Sequence, residues 1–123
     1  MISFDNFDID DGSPIYMQII QYIKQGIAAG TIQDRDEMPS RRVLSALLGV
    51  NPNTVQKAYR MLEEENIIQS HAGAKSYICI DEDMVSRIHS QLIHSHVKAI
   101  VNAMKQMGIT KAEALGFIGE LWE

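Results

Sequence analysis

Residues 39–66 read PSRRVLSALLGVNPNTVQKAYRMLEEEN and hold two helical patterns separated by a tight turn. Ser40 supplies a side-chain oxygen suited to the orphan amides of a first helical turn. Val43, Leu44, Leu47 and Leu48 then recur at helical spacing. Gly49 sits just past the end of this pattern, where a left-handed residue is wanted. Asn51 caps a second helix, and Pro52 fits its first position. The inward stripe of that helix is Val55, Ala58, Tyr59 and Leu62. Tyr59 belongs to the core on this spacing, so its hydroxyl needs a buried partner.

The outward face of the second helix carries Asn53, Gln56, Lys57 and Arg60, with Thr54 at its margin. Amides, a hydroxyl and cations near a helix N-terminus suit base edges and phosphates. A helical hairpin with a solvated polar face is the plainer alternative. The following residues favour the first. Asn66 suits a left-handed helix end, Ile67-Ile68 begins a β-like run, 70–75 is turn-rich, and Ser76 to Ile80 is a second β run. A helix-turn-helix followed by a hairpin is a winged helix.

The run MPSRRVLSALLGVNPNTVQKAYRMLEEENII, preceded by SPIYMQIIQYIKQGIAAGTI and followed by a glycine-containing hairpin ending in Tyr77-Ile78, resembles the GntR family of bacterial transcription regulators. The likeness covers about residues 14–78, and the short tail resembles that of the YtrA-like subfamily. It implies a DNA interface built from Ser40, Arg41, Arg42, Asn51, Asn53, Thr54, Gln56, Lys57 and Arg60, with His71, Gly73 and Lys75 in the wing. Arg42 and Thr54 stand where the family's contacts usually stand. Pro52 and Gln56 occupy positions where some relatives use arginine, so the operator should differ from theirs. The wing departs from the family pattern: Gly73 is present, Lys75 replaces a second glycine, and the flanking arginines are absent. Its electrostatic contribution should therefore be small.

Charge bears on the same question. The net charge is −5, whereas nucleic-acid binders are often basic. The distribution is uneven. Residues 39–78 carry five cations against three anions, while Asp5, Asp8, Asp10 and Asp11 crowd the start and Asp81, Glu82 and Asp83 follow the wing. Such a chain should bind non-specific DNA weakly and lean on base contacts. The acidic balance and thin wing also keep a rival in view, a winged helix used for protein–protein association without DNA.

The segment before the helix-turn-helix alternates apolar and acidic residues from Met1 to Gly12, an arm that packs on its own chain or on a partner. Ser13-Pro14 opens a helix in cap-then-proline order, with Tyr16, Ile19, Ile20, Ile23 and Ile27 as its stripe and Gly30 at its close. Thr31-Ile32 reads as a brief strand of the wing sheet, and Gln33 to Glu37 as a polar turn where the family often has Pro-Gly.

After the wing, Asp81 to Asp83 precedes a long helix with an apolar face wider than its own domain needs. Gly108 ends it, and Thr110-Lys111-Ala112-Glu113 is a capping box for a last apolar helix. The expected fold is mainly α with a small β-wing: a winged helix-turn-helix at 1–80 with its arm, and a short α-helical dimerisation tail at 81–123. Ile88, Leu92, Val97, Ile100, Met104, Leu115, Ile118 and Trp122 are the candidate dimer interface.

Other chemistry is poorly supported. His89, His94 and His96 lack a His-x-x-x-His pair, and surface histidines explain them. Glu63, Glu64 and Glu65 diverge on one helix turn and read as a solvated face. The single cysteine, Cys79, reads as a small buried strand residue. Neither a leader pattern nor an apolar span of about 20 residues occurs. The reading is a cytoplasmic, homodimeric regulator, not an enzyme, without cofactor or metal. It binds an inverted-repeat double-stranded DNA operator, most simply as a repressor. A small-molecule effector is left open, and no membrane is involved.

Overall fold

The computed structural model describes residues 1–71 and 75–123. The elements in order are α1 (Ile15–Ala29), β1 (Glu37–Met38), α2 (Arg41–Leu48), α3 (Pro52–Glu64), β2 (Ile68–Ser70), β3 (Ser76–Ile78), α4 (Glu82–Gln106) and α5 (Lys111–Leu121). They form two compact units, Met1–His89 and Ser90–Glu123, with the division inside α4.

In the first unit α3 packs against both α1 and α2, and β2 follows directly from it. The core is the expected set: Ile19, Ile20, Ile23 and Ile27 of α1 meet Val55, Ala58, Tyr59 and Leu62 of α3, all buried. Each such aliphatic side chain, once buried, contributes about 1.5–3 kcal/mol. Gly30 ends α1 at φ 82° and Gly49 ends α2 at φ 66°. Asn66 takes φ 62° after α3 and turns the chain into the sheet. The three strands are antiparallel in the order β1-β3-β2, with Glu37 opposite Tyr77 and Ile68 opposite Ile78.

Several expectations are corrected here. Ser13 does not cap α1; Pro14 occupies the cap position, and its carbonyl accepts from the amides of Met17 and Gln18. Thr31-Ile32 is not a strand. The Ile32 amide donates to the Gly26 carbonyl at 3.0 Å, and Ile32 is buried where Gly26 leaves room for it. A turn closed by the Asp36 carboxylate on the Gln33 amide follows, with Arg35 at φ 71°, and only then does the chain reach β1. Val43 and Leu47 are 54% and 61% exposed. They form one i,i+4 row on α2, while the helix buries Leu44 and Ser45. Cys79 is exposed and lies just past the end of β3, whose Ser76 and Ile78 are the buried positions.

The arm packs on its own chain. Phe4 is buried, and its ring lies 4.8 Å from Tyr22 and 5.7 Å from Phe7. The Ile2 amide donates to the Glu37 carbonyl at 2.9 Å, and the Tyr22 hydroxyl donates to the Ser3 carbonyl. Gln18 holds the far end: its amide nitrogen donates to the Asp10 and Ser13 carbonyls, and its oxygen accepts from the Asp10 amide.

At the start of α4 the Asp81 carboxylate accepts from the Met84 amide. Ile88 is buried in the first unit, so it serves that core and is not presented for assembly. Within the second unit, Gly108 at φ 73° separates α4 from α5. The Thr110–Glu113 capping box forms in both directions. The two helix segments leave an apolar groove of about 750 Å³, lined among others by Val97, Ile100, Met104, Leu115, Ile118 and Trp122. Leu115 and Trp122 are 58% and 83% exposed. Leu92 and Met104 are half-buried.

Candidate nucleic-acid interface

The interface begins with two helix starts. The Asn51 side-chain oxygen accepts from the Asn53 amide at 2.8 Å, and the Ser40 hydroxyl accepts from the Val43 amide at 3.1 Å. Both oxygens are therefore occupied in capping. What Ser40 retains for another partner is its O–H, and what Asn51 retains is its NH2. The first turn of α3 holds no acidic residue. Its positive end is uncompensated, the arrangement that attracts phosphate.

Asn53, Gln56, Lys57 and Arg60 are all exposed and share one face of α3, with Thr54 half-buried at its edge. Arg42, at the start of α2, is exposed as well. Two of these cations have neighbours. Lys57 Nζ lies 4.0 Å from the Tyr16 ring centroid, and Arg60 Nε is 4.0 Å from Glu64 Oε1. Both contacts are exposed and each is worth at most about 1 kcal/mol, so either side chain can leave for a phosphate.

Arg41 differs from Arg42. Its guanidinium bonds Glu63 Oε1 and lies 5.1 Å from the Tyr59 ring centroid. Only 28% of the side chain is exposed, and its Nε is buried with no hydrogen-bond partner among the described residues. Glu63 Oε1 also accepts from the Ser70 hydroxyl at 3.2 Å, and Ser70 Oγ is 3.0 Å from Ser76 Oγ. Beneath this pair, the Tyr59 hydroxyl donates to the Pro39 carbonyl. Burial pushes the Tyr59 hydroxyl well above the ordinary tyrosine range, with the Arg41 charge pulling it the other way. The phenol stays protonated and remains a donor.

The glutamate triplet is thus more than a solvated face. Glu63 reaches Arg41, and Glu65 reaches Lys24 of α1 at 2.9 Å. Three acids at the negative end of α3 would be unfavourable alone. Their partners offset this. Sequence reasoning missed the Arg41–Glu63 pair because the two residues belong to different elements; the available signal was an acid in the last turn of α3 without a dipole reason to be there.

In the wing, the His71 amide donates to the Lys75 carbonyl at 2.8 Å, and the His71 ring stands 5.4 Å from Tyr77. His71 and Lys75 are exposed. Gly73 lies outside the described residues. Among the described residues no three metal-ligating side chains converge.

The profile of the bacterial regulatory proteins of the GntR family matches residues 15–78, the span from α1 to β3. The chain belongs to the GntR family. Some relatives match along most of their length, and others over the DNA-binding domain alone. YhcF of Bacillus subtilis, an uncharacterized HTH-type transcriptional regulator, is 30% identical over 102 residues, covering 83% of this chain and 84% of that one. The HTH-type transcriptional repressor YtrA of the same organism is 44% identical over 71 residues, 58% of this chain and 55% of its own. A GntR family regulator from Listeria monocytogenes superposes with a TM-score of 0.81 at 32% identity, over 92% of this chain and 99% of that structure. GntR proteins are DNA-binding transcription regulators, not enzymes, and the winged helix of this member is its DNA-binding domain. No described helix is long and apolar enough to cross a membrane.

Proposed function

We propose that this GntR protein is a cytoplasmic repressor that binds an inverted-repeat operator as a homodimer. The observation that carries the reading is the exposed face of α3, where Asn53, Gln56, Lys57 and Arg60 project beside an uncompensated positive helix end. Asn53, Thr54 and Gln56 are assigned to base edges, with Arg42 to a base or phosphate. Lys57, Arg60 and Lys75 are assigned to phosphates.

Residues 1–80 read DNA, and the tail at 81–123 joins two copies through its residues beyond Ile88. The exposed apolar residues on both tail helices support the second assignment, since water-facing Leu115 and Trp122 are costly in an isolated molecule. A two-fold dimer would place its α3 helices in successive major grooves, about 34–36 Å apart or a multiple of that. Repression then follows from covering a promoter.

One observation favours a second reading. Val43 and Leu47 expose an apolar row on α2, beside the proposed DNA face. That row suits a protein partner in a module that does not use DNA. Selection of bound duplexes from a random pool, at near-physiological salt, decides between them. An inverted repeat establishes the operator reader. Recovery of no duplex by folded protein makes the α3 face a candidate protein interface or implies a missing co-ligand.

A further inference from the structure

Arg41 lies among the residues that a regulator of this kind would turn towards DNA, yet its guanidinium faces inward. It bonds Glu63 at the far end of α3 and lies over Tyr59. Glu63 in turn accepts from Ser70 of β2, whose hydroxyl meets that of Ser76 in β3. Four side chains therefore connect the start of α2, the end of α3 and the loop ends of the two wing strands, where Ser70 pairs with Ser76. Ser76 is buried, and Arg41 and Glu63 are each about two-thirds shielded from water, at 28% and 35% exposure.

We infer that Arg41 and Glu63 are a positioning pair that sets how sharply α3 discriminates its operator, and that Arg41 itself touches no phosphate. The physical argument is geometric. Bidentate base contacts lose their value when a recognition helix tilts, and phosphate contacts on flexible lysines tolerate the same tilt. α2 is short, and its N-terminus is held to α3 at two places, by Tyr59 on Pro39 and by Glu63 on Arg41. The second bond extends the restraint to the strands that carry the wing. Arg41 is committed on both sides: leaving Glu63 for a phosphate would strand a half-buried carboxylate and uncover the Tyr59 ring.

The inference rests on the DNA-reading function proposed above, and its test separates the two. Full-length wild type, Arg41→Met, Glu63→Gln and the double variant are compared on the selected operator and on random duplex, across a salt series. The temperature is one where circular dichroism shows all four folded. Lys57→Met, at a residue assigned to phosphate, serves as the phosphate-contact reference. A positioning pair predicts that Arg41→Met and Glu63→Gln each lower the operator-to-random ratio by about tenfold. The double variant should lose no more than either single one, and the salt slopes should match wild type. Loss of overall stability alone would leave that ratio unchanged in folded protein, and this overturns the proposal.

The signs differ if Arg41 is a phosphate ligand. Arg41→Met would then lower the salt slope by about one, as expected of Lys57→Met, and Glu63→Gln would tighten binding by removing a nearby anion. That outcome overturns the proposal while leaving the DNA reader intact. If wild type selects no duplex, the operator reading fails, and with it the discrimination role. A urea-unfolding cycle on the same four proteins would still report whether the pair is coupled.

Discussion

The hydroxyl of Tyr59, in the middle of α3, donates to the carbonyl oxygen of Pro39, just before α2 begins. One bond thus fixes where the first helix of the helix-turn-helix starts relative to the second. Tyr59 is fully buried, so the Pro39 carbonyl has no water to replace the phenol. Tyr59→Phe should cost about 1–3 kcal/mol, the penalty for leaving a buried acceptor unpaired. Urea denaturation should show a lower midpoint at unchanged slope. A midpoint within error of wild type would mean that the carbonyl finds another donor.

The base-reading and phosphate-holding assignments predict different losses. Asn53→Ala should weaken the cognate site by about 1–3 kcal/mol and relax preference at one base position. Titration against a set of single-base operator variants reads both quantities. Uniform weakening across all sequences would make Asn53 a backbone contact.

The wing retains Lys75 as an exposed cation. Lys75→Ala should reduce the slope of log affinity against log salt by about one. A slope equal to wild type would take the wing out of the phosphate contacts, in keeping with its missing arginines.

For the tail, a charge placed on the exposed apolar surface should oppose assembly. Leu115→Glu is expected to shift sedimentation from dimer to monomer at micromolar protein, with the first unit still folded. Operator affinity should fall with it, since a monomer reads one half-site. Dimer persisting in Leu115→Glu would move the interface elsewhere.

The capping box gives a pH prediction. Hydrogen bonds from the Thr110 amide, and then from its hydroxyl, hold the Glu113 carboxyl below its usual value of 4.5. A carboxylate depressed on folding stabilises fully above its unfolded value and ceases to do so as pH falls through the folded one. The α5 amides should therefore lose exchange protection as pH drops below 4.5. Glu113→Gln, which keeps an acceptor at this position, should show a flatter profile. Identical profiles would assign no role to the carboxylate.

Much of this fold is legible locally. Ser40, Gly49, Asn51, Pro52, Asn66 and Thr110 mark helix ends through their own backbone and side-chain preferences, and each is found where those preferences place it. Elements defined by distant partners are not legible in that way. β1 is two residues long and exists only through its pairing with β3, so no period in the sequence announces it. The exposure of Val43 and Leu47 depends on which flank of α2 meets α3, and both flanks read as apolar. Arg41 and Arg42 are adjacent cations in the sequence. A glutamate 22 positions later separates their environments.

The N-terminal arm has a consequence for the sheet. An outer strand with open amides and carbonyls is a template for a strand from another molecule. On the outer strand β1 the Glu37 carbonyl is already taken by the Ile2 amide, and Phe4 anchors that segment among the aromatic rings of Phe7 and Tyr22. Asp5 and Asp8, exposed along the same segment, repel an approaching copy of it. The arm thereby acts as a stopper against strand addition along the β1 side of the sheet.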